Sequence, residues 1–172
     1  MRKGYVQVYT GEGKGKTTAA LGLALRAAGA GMKVFIGQFI KNRKCGEHKA
    51  LERFKDLITV KQYGTGFLKG PKPSKIAIGS ANKGIKEVRK IILSGKYDLV
   101  ILDEINIAIH YKLLSICEVI DLIHAKPPGV ELVLTGRYAD KDIIGKADLV
   151  TEMKEVSHYM RKGVKARKGI EC

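Results

Sequence analysis

Tryptophan is absent from the 172 residues, proline occurs four times and cysteine three times. Cys45, Cys117 and Cys172 form no C-x-x-C pair, and an odd count fits a reducing compartment better than a disulfide framework. The four histidines, His48, His110, His124 and His158, show no metal-ligand spacing with one another or with the cysteines. No apolar run approaches the ~18–20 residues that a membrane span requires. The basic start M-R-K-G-Y-V-Q-V-Y-T meets a glycine-rich stretch before any long apolar segment, so it does not read as a signal peptide. Acidic residues are scarce: 17 Asp and Glu face 32 Lys and Arg, a formal net charge of +15. What is present is ordinary globular material. Hydrophobic residues at 45% and charged residues at 28% exclude disorder and a collagen-like fold. The length suits one domain, expected over 1–172 with a basic C-terminal tail from 154. A chain of this size needs no disulfide or metal staple. The expectation is a soluble cytoplasmic protein whose charge attracts nucleic acid, nucleotides or another phosphorylated ligand.

Apolar β-type runs alternate with helical periodicity along the chain. Tyr5 to Tyr9 reads as a strand, followed by a helix whose apolar face is Leu21, Ala24, Leu25 and Ala28. Val34 to Phe39 is a second strand, and a basic turn with Lys41, Arg43 and Lys44 leads to a short helix around His48–Phe54. Leu57 to Tyr63 reads as a third strand, and the glycines and prolines of 64–75 mark a loop. A helix with Ile85, Val88 and Ile92 on one side precedes Leu99–Leu102, an apolar run typical of a strand buried on both faces. Ser115 and Glu118 form a capping box ahead of another helix. Strands follow at Val130–Leu134 and Leu149–Met153. Such alternation predicts an α/β fold, a mainly parallel sheet with helices on both faces, and a ligand beyond the C-terminal strand ends.

Three segments at those ends carry chemistry. The first is T-G-E-G-K-G-K-T-T, Thr10 to Thr18, between the first strand and the first helix. Gly11, Gly13 and Gly15 let backbone N–H groups approach a phosphate, and the helix start aims its positive dipole end at the anion. Lys16 reaches phosphate oxygens, and the Thr17 hydroxyl suits Mg²⁺. The usual G-x-x-x-x-G-K-[ST] pattern has glycine in its first place, where this chain has Thr10. The second segment ends the Leu99–Leu102 strand in Asp103 and Glu104, carboxylates placed to hold Mg²⁺ directly or through water. The third is Leu134-Thr135-Gly136-Arg137, whose arginine can contact a phosphate.

With these segments in place, the chain resembles the P-loop-type ATP:corrinoid adenosyltransferases (cob(I)alamin adenosyltransferases). The resemblance rests on Y-T-G-E-G-K-G-K-T-T-A-A-L-G (9–22), Q-F-I-K (38–41), G-T-G-F (64–67), V-I-L-D-E-I-N (100–106), L-T-G-R (134–137), A-D-L-V-T-E-M (147–153) and G-V-K-A-R-K-G-I-E (163–171), in family order. It implies a three-layer, RecA-like P-loop domain that moves the 5′-deoxyadenosyl group of ATP onto the cobalt(I) of a reduced corrinoid. It further implies a nucleotide held in the reverse sense to ordinary P-loop ATPases. ATP contacts are implied at Thr10, Gly11, Glu12, Gly13, Lys14, Gly15, Lys16, Thr17, Thr18 and Arg137. Lys14, Lys16 and Glu104 then serve catalysis, and Thr17, Glu104 and Asp103 serve Mg²⁺. An electron donor such as a flavoprotein and a homodimer are implied as well, with no nucleic acid and no membrane.

On the corrinoid side, the bacterial form reads G-F-x-W where this chain has Gly66-Phe67-Leu68-Lys69. Phe67 keeps the pattern and Lys69 replaces the tryptophan, so Leu68, Tyr63 or another residue substitutes, or cobalt is handled differently. Bacterial members carry a helix before the first strand that covers the corrinoid. Here the expected cover is the 64–75 loop, the basic tail, a partner subunit, or nothing. A nucleic-acid-stimulated RecA-like ATPase stays open as the alternative, on the +15 charge and the Asp103-Glu104 pair. A nucleotide-binding protein without turnover is a third reading. If Phe67 helps to exclude the lower axial ligand of cobalt, Phe67→Ala impairs cobalt(II) reduction more than transfer to preformed cobalt(I). Equal losses in the two assays would count against that role.

Overall fold

The computed structural model describes residues 3–66 and 72–171. Six strands form one sheet: β1 (Val6–Thr10), β2 (Val34–Gln38), β3 (Ile58–Gln62), β4 (Leu99–Asp103), β5 (Glu131–Thr135) and β6 (Leu149–Glu152). All neighbours pair in parallel, in the order β3-β2-β4-β5-β1-β6. The three-layer α/β architecture expected from the alternation is present, and the sheet is parallel throughout.

Among the described residues, six helices cover the faces: α1 (Lys16–Gly29), α2 (Gly46–Leu51), α3 (Lys75–Leu93), α4 (Ile105–His110), α5 (Ile116–Ala125) and α6 (Lys141–Ile144). One core layer joins Ala20, Ala24, Ala27 and Ala28 of α1 and Leu51 of α2 to Val34, Ile36, Leu99, Ile101 and Val133. The opposite layer joins α3, α4 and α5 to Phe35, Val100, Leu102, Leu132 and Leu134. Every residue of β4 is buried, as its unbroken apolar run requires. The Ser115–Glu118 capping box forms, with the Ser115 amide donating to Glu118 Oε2 at 3.0 Å.

Several expectations needed correction. The buried stripe of α1 is the alanine row, and Leu25 is 44% exposed. Methyl side chains let the helix lie close against the sheet, so small size rather than greater hydrophobicity selects the inner face. Helices α4 and α6, of six and four residues, escaped the periodicity reading because neither is long enough to repeat a pattern. The expected helix around His48–Phe54 divides into α2 and a 3-10 turn over Glu52–Phe54. In the tail, a 3-10 turn spans Tyr159–Lys162.

Parallel pairing aligns the C-terminal strand ends. Gln38 lies opposite Asp103, Leu102 opposite Leu134, Tyr9 opposite Thr135 and Thr10 opposite Glu152. Apolar strands therefore all finish in polar residues along one edge. Of the buried polar or charged side chains, Thr10, Gln38, Asp103 and Thr135 end strands here, while Lys16, His48 and Asn106 come from adjoining helices.

Two glycines of α3 separate packing from backbone entropy. A Cβ on Gly84 would stand 2.6 Å from Tyr63 Cγ, whereas one on exposed Gly79 would meet nothing within 4 Å. Gly79→Ala is expected to stabilise the protein by about 0.5–1 kcal/mol. Gly84→Ala is expected to destabilise it by about 1–3 kcal/mol, both read from urea unfolding.

Candidate functional site

The loop between β1 and α1 forms the centre of the site. Gly11 and Gly15 hold left-handed backbone, with φ of 94° and 118°. Gly11 and Gly13 also face the chain leaving β6: a Cβ there would come within 2.5 and 2.7 Å of the Met153 carbonyl oxygen. The Gly13 amide donates to that oxygen at 2.6 Å. These glycines thus permit close approach of the chain that leaves β6. Helix α1 opens with no side-chain cap and no acidic residue in its first turn. Its orphan amides and positive dipole end remain available to an anion.

Lys16 is buried, and its ammonium donates to the Gly11 and Gly13 carbonyls, each at 2.6 Å. Burial first, and the Arg137 charge second, lower its pKa. Arg137 reaches across the loop to Glu12, with Nη1 3.2 Å from Oε2. Thr18 is exposed on the first turn of α1. Thr10 is buried and accepts the Ala139 amide at 3.2 Å, so its hydroxyl anchors the segment that follows Arg137.

Lys14 is placed differently. Its ammonium donates to Tyr159 Oη at 2.8 Å, Glu171 Oε1 at 2.9 Å and the Ile170 carbonyl at 3.2 Å. Arg167 lies over the Tyr159 ring and pairs with Glu171, whose carboxyl also accepts the Tyr159 hydroxyl. These donors, Arg167 foremost, hold the Glu171 carboxyl far below the usual carboxylate range. The basic tail therefore returns to the phosphate loop and binds it through Lys14. His158 accepts the Met160 amide at 3.1 Å, the local task of capping a turn.

Across the edge, β4 delivers Asp103 and Glu104. Asp103 is 1% exposed. Its Oδ1 accepts the Thr17 and Thr135 hydroxyls, both at 2.8 Å. Its Oδ2 accepts Gln38 Nε2 at 3.2 Å and lies 3.4 Å from the Lys41 ammonium. The Thr17 proton points at Asp103, which leaves the hydroxyl lone pairs for a cation. Lys41 also reaches Glu47 at 3.6 Å. Burial pulls the Lys41 pKa down, but Asp103 and Glu47 outweigh it and hold the ammonium above its ordinary range. Glu104 sits at φ 60°, an unusual conformation for a residue other than glycine, which its amide secures by donating to Thr135 Oγ1 at 3.0 Å. Burial, and then Asp103 beside it, raise the Glu104 pKa.

The structure thus brings Lys16, Thr17, Asp103, Glu104 and Arg137 to one edge, and ties Lys14 to the tail instead. Phe67, Leu68 and Lys69 lie outside the described residues. Sequence reasoning assigned no role to Gln38, Lys41, His48 or Thr135. Gln38 and Lys41 open and close the quoted Q-F-I-K block, and Thr135 lies in L-T-G-R. Their signal was position: polar residues ending or following apolar strands at the ligand-bearing edge.

An all-oxygen set of one hydroxyl and two carboxylates suits a hard cation that keeps waters and takes its remaining ligands from phosphates. No group of three or more His, Cys, Asp or Glu that could hold a metal ion occurs among the described residues. The chain matches the family described as ATP:corrinoid adenosyltransferase BtuR/CobO/CobP over residues 2–172. The chain belongs to this family. A corrinoid adenosyltransferase from Sinorhizobium sp is 38% identical over 98% of this chain and 80% of its own length. Corrinoid adenosyltransferases from Pseudomonas aeruginosa and Escherichia coli (strain K12) are 37% and 34% identical over 98% of this chain, and 84% and 86% of theirs. The nucleic-acid-stimulated ATPase left open by charge finds no support among these adenosyltransferases. No helix among the described residues is long and apolar enough to cross a membrane.

A carboxyl whose pKa is raised by folding costs stability once it ionises. Its favourable contribution is complete below the unfolded pKa and is lost as pH rises through the folded one. Glu104→Gln is therefore expected to raise the melting temperature. The gain over the parent should grow as pH climbs from the ordinary carboxylate range to neutrality, as a calorimetric pH series would show.

Proposed function

We propose that this chain transfers the 5′-deoxyadenosyl group of ATP to the cobalt(I) of a reduced corrinoid and releases triphosphate. The observation that carries this reading is an uncapped helix start, with buried Lys16 and a Thr17–Asp103 pair, in a chain that matches the family over residues 2–172. Cobalt(I) attacks the ribose C5′ carbon. A cobalt–carbon bond forms, the C5′–oxygen bond breaks, and its electron pair leaves with the triphosphate. The nucleophile carries no proton, so the reaction requires no general base. The protein's task is alignment and charge neutralisation.

Lys16 and the orphan amides at the start of α1 hold the triphosphate, while the Gly13 amide stays on the Met153 carbonyl and Arg137 and Glu12 lie at the edge. Lys14 contributes charge from the tail side, where Glu171 and Tyr159 orient it. Thr17 and Glu104 would hold Mg²⁺ directly, and Asp103 acts behind them, its oxygens already taken by Thr17, Thr135, Gln38 and Lys41. When bound, Mg²⁺ supplies positive charge to the departing triphosphate. Phe67, Leu68 and Lys69 form the corrinoid side. A donor such as a flavoprotein supplies the electron that makes cobalt(I), and the enzyme works in the cytoplasm, as a single-domain protomer of a homodimer. Family resemblance supports these last assignments.

Product analysis with and without cob(I)alamin tests the reading. Triphosphate and a light-sensitive cobalt–carbon product should form only when the reduced corrinoid is present. ADP as sole product in both cases would overturn it. Lys16→Ala should lower the transfer rate by about 10²–10³-fold, the scale for removing a preorganised electrostatic contact.

A further inference from the structure

Behind Asp103, a line of buried polar groups runs away from the phosphate loop and has no part in the chemistry above. Gln38 is 1% exposed and pairs with Asp103 in the β2–β4 register. Its Nε2 donates to Asp103 Oδ2 at 3.2 Å. Its Oε1 then faces His48 Nε2 at 2.8 Å and also receives Gln62 Nε2 at 3.1 Å. On the far side of the imidazole, Nδ1 lies 3.0 Å from the backbone nitrogen of Cys45.

These contacts determine where the imidazole proton sits. A backbone N–H only donates, so Nδ1 carries the lone pair and Nε2 carries the hydrogen, directed to Gln38 Oε1; Gln62 Nε2, 3.2 Å from His48 Nε2, spends its own hydrogens on Gln38 Oε1 and the Arg43 carbonyl. Every bond then runs in one direction, from the Cys45 amide to His48, from His48 to Gln38, and from Gln38 to Asp103. The Gln38 amide cannot turn over. Reversal would set its oxygen against a carboxylate and its NH₂ against the His48 N–H. His48 belongs to α2, and the turn before α2 supplies Lys41, the other neighbour of Oδ2. Both groups that steady Oδ2 from this side thus arrive through one chain segment, while Oδ1 steadies Thr17 on the other.

We propose that His48 and Gln38 are positioning residues of the transfer reaction, acting through Asp103 to orient the Thr17 hydroxyl at the start of α1. This rests on the assignment of Thr17 and Asp103 above. A buried histidine kept only for packing would be replaced well by leucine. A positioning histidine is replaced by glutamine, whose amide N–H can stand in for Nε2–H, and not by leucine. Groups that orient metal ligands from behind typically change affinity or activity by about 10–100-fold.

The test compares wild type, His48→Gln, His48→Leu and Gln38→Leu in the full chain. His48→Leu and Gln38→Leu should lower kcat by about tenfold or more, and raise by a similar factor the Mg²⁺ concentration giving half-maximal rate. The KM for corrinoid should stay within about threefold, and His48→Gln should remain within about threefold of wild type in every parameter. A leucine variant with wild-type kcat, or equal losses in the glutamine and leucine variants, overturns the proposal. Nitrogen-15 NMR of histidine-labelled wild type supplies a readout independent of turnover and of the variants' folding. The expected signal is Nε2-protonated His48, and an Nδ1-protonated ring overturns the relay. Should wild type form no adenosylated corrinoid, the function reading fails on its own. Mg²⁺-dependent binding of a fluorescent ATP analogue then decides the relay, with about tenfold weaker binding by His48→Leu expected and unchanged binding overturning it.

Discussion

A carboxylate withdrawn from water organises this protein. Asp103 is 1% exposed, and a charge in that position is tolerated only with well-placed donors and a cation. The donors come from separate parts of the chain: Thr17 from α1, Thr135 from β5, Gln38 from β2 and Lys41 from the turn before α2. The topology makes this possible. Strand β5 lies between β1 and β4, so Thr135 stands beside Asp103 and can donate to it while accepting the Glu104 amide. Parallel register puts Gln38 on the other side. Misplacing any of these elements would leave the carboxylate short of a partner. The same requirement that satisfies the buried charge thereby gathers the site.

The positive charge is arranged on a second principle. Within the loop, Lys16 is bonded only to carbonyl oxygens, which satisfy its donors without cancelling its charge. Lys14 and Arg137, by contrast, are paired with the carboxylates Glu171 and Glu12. A polyanion entering the loop therefore meets one uncompensated ammonium and two cations in exchangeable, exposed ion pairs. Solvent screens such pairs, so the isolated Arg137–Glu12 pair is given up at little cost. The tail is attached to the loop through the other pair, which couples its docking to whatever Lys14 binds.

Much of this was legible in the residues, and the rest was illegible for physical reasons. Period-two and continuous apolar runs marked the strands because burial acts along a local pattern, and β4 with its terminal Asp103-Glu104 stood out for that cause. The loop was legible because its glycines and lysine sit within nine residues. On α1, Ala24 and Ala28 were read as inner positions and are buried, but Leu25 was placed inside on hydrophobicity, whereas close helix–sheet approach selected Ala20 and Ala27. The Asp103 network escaped because its members follow no local pattern, with Thr17 and Thr135 on the same carboxylate oxygen although 118 residues apart (135 − 17); only β-sheet register joins Gln38 to Asp103. Lys14 looked like its neighbour Lys16 in sequence, and its attachment to Glu171 depends on a tail that returns across the fold.

The site is costly to the fold in ways that share one remedy. Glu104 adopts a left-handed backbone that costs a residue with a Cβ on the order of 1 kcal/mol or more, and its carboxyl is pushed toward the neutral form by burial and by Asp103. Lys16 is pushed the opposite way, toward loss of its proton. Both shifts oppose the charges on which a phosphate-and-metal site depends. A triphosphate beside Lys16 and a divalent cation beside Glu104 would each restore the charged form by direct attraction. The two ligands also neutralise each other, so each lowers the cost of binding the other. Under the proposed function, the displaced protonation equilibria would therefore favour a metal–nucleotide complex over either component alone.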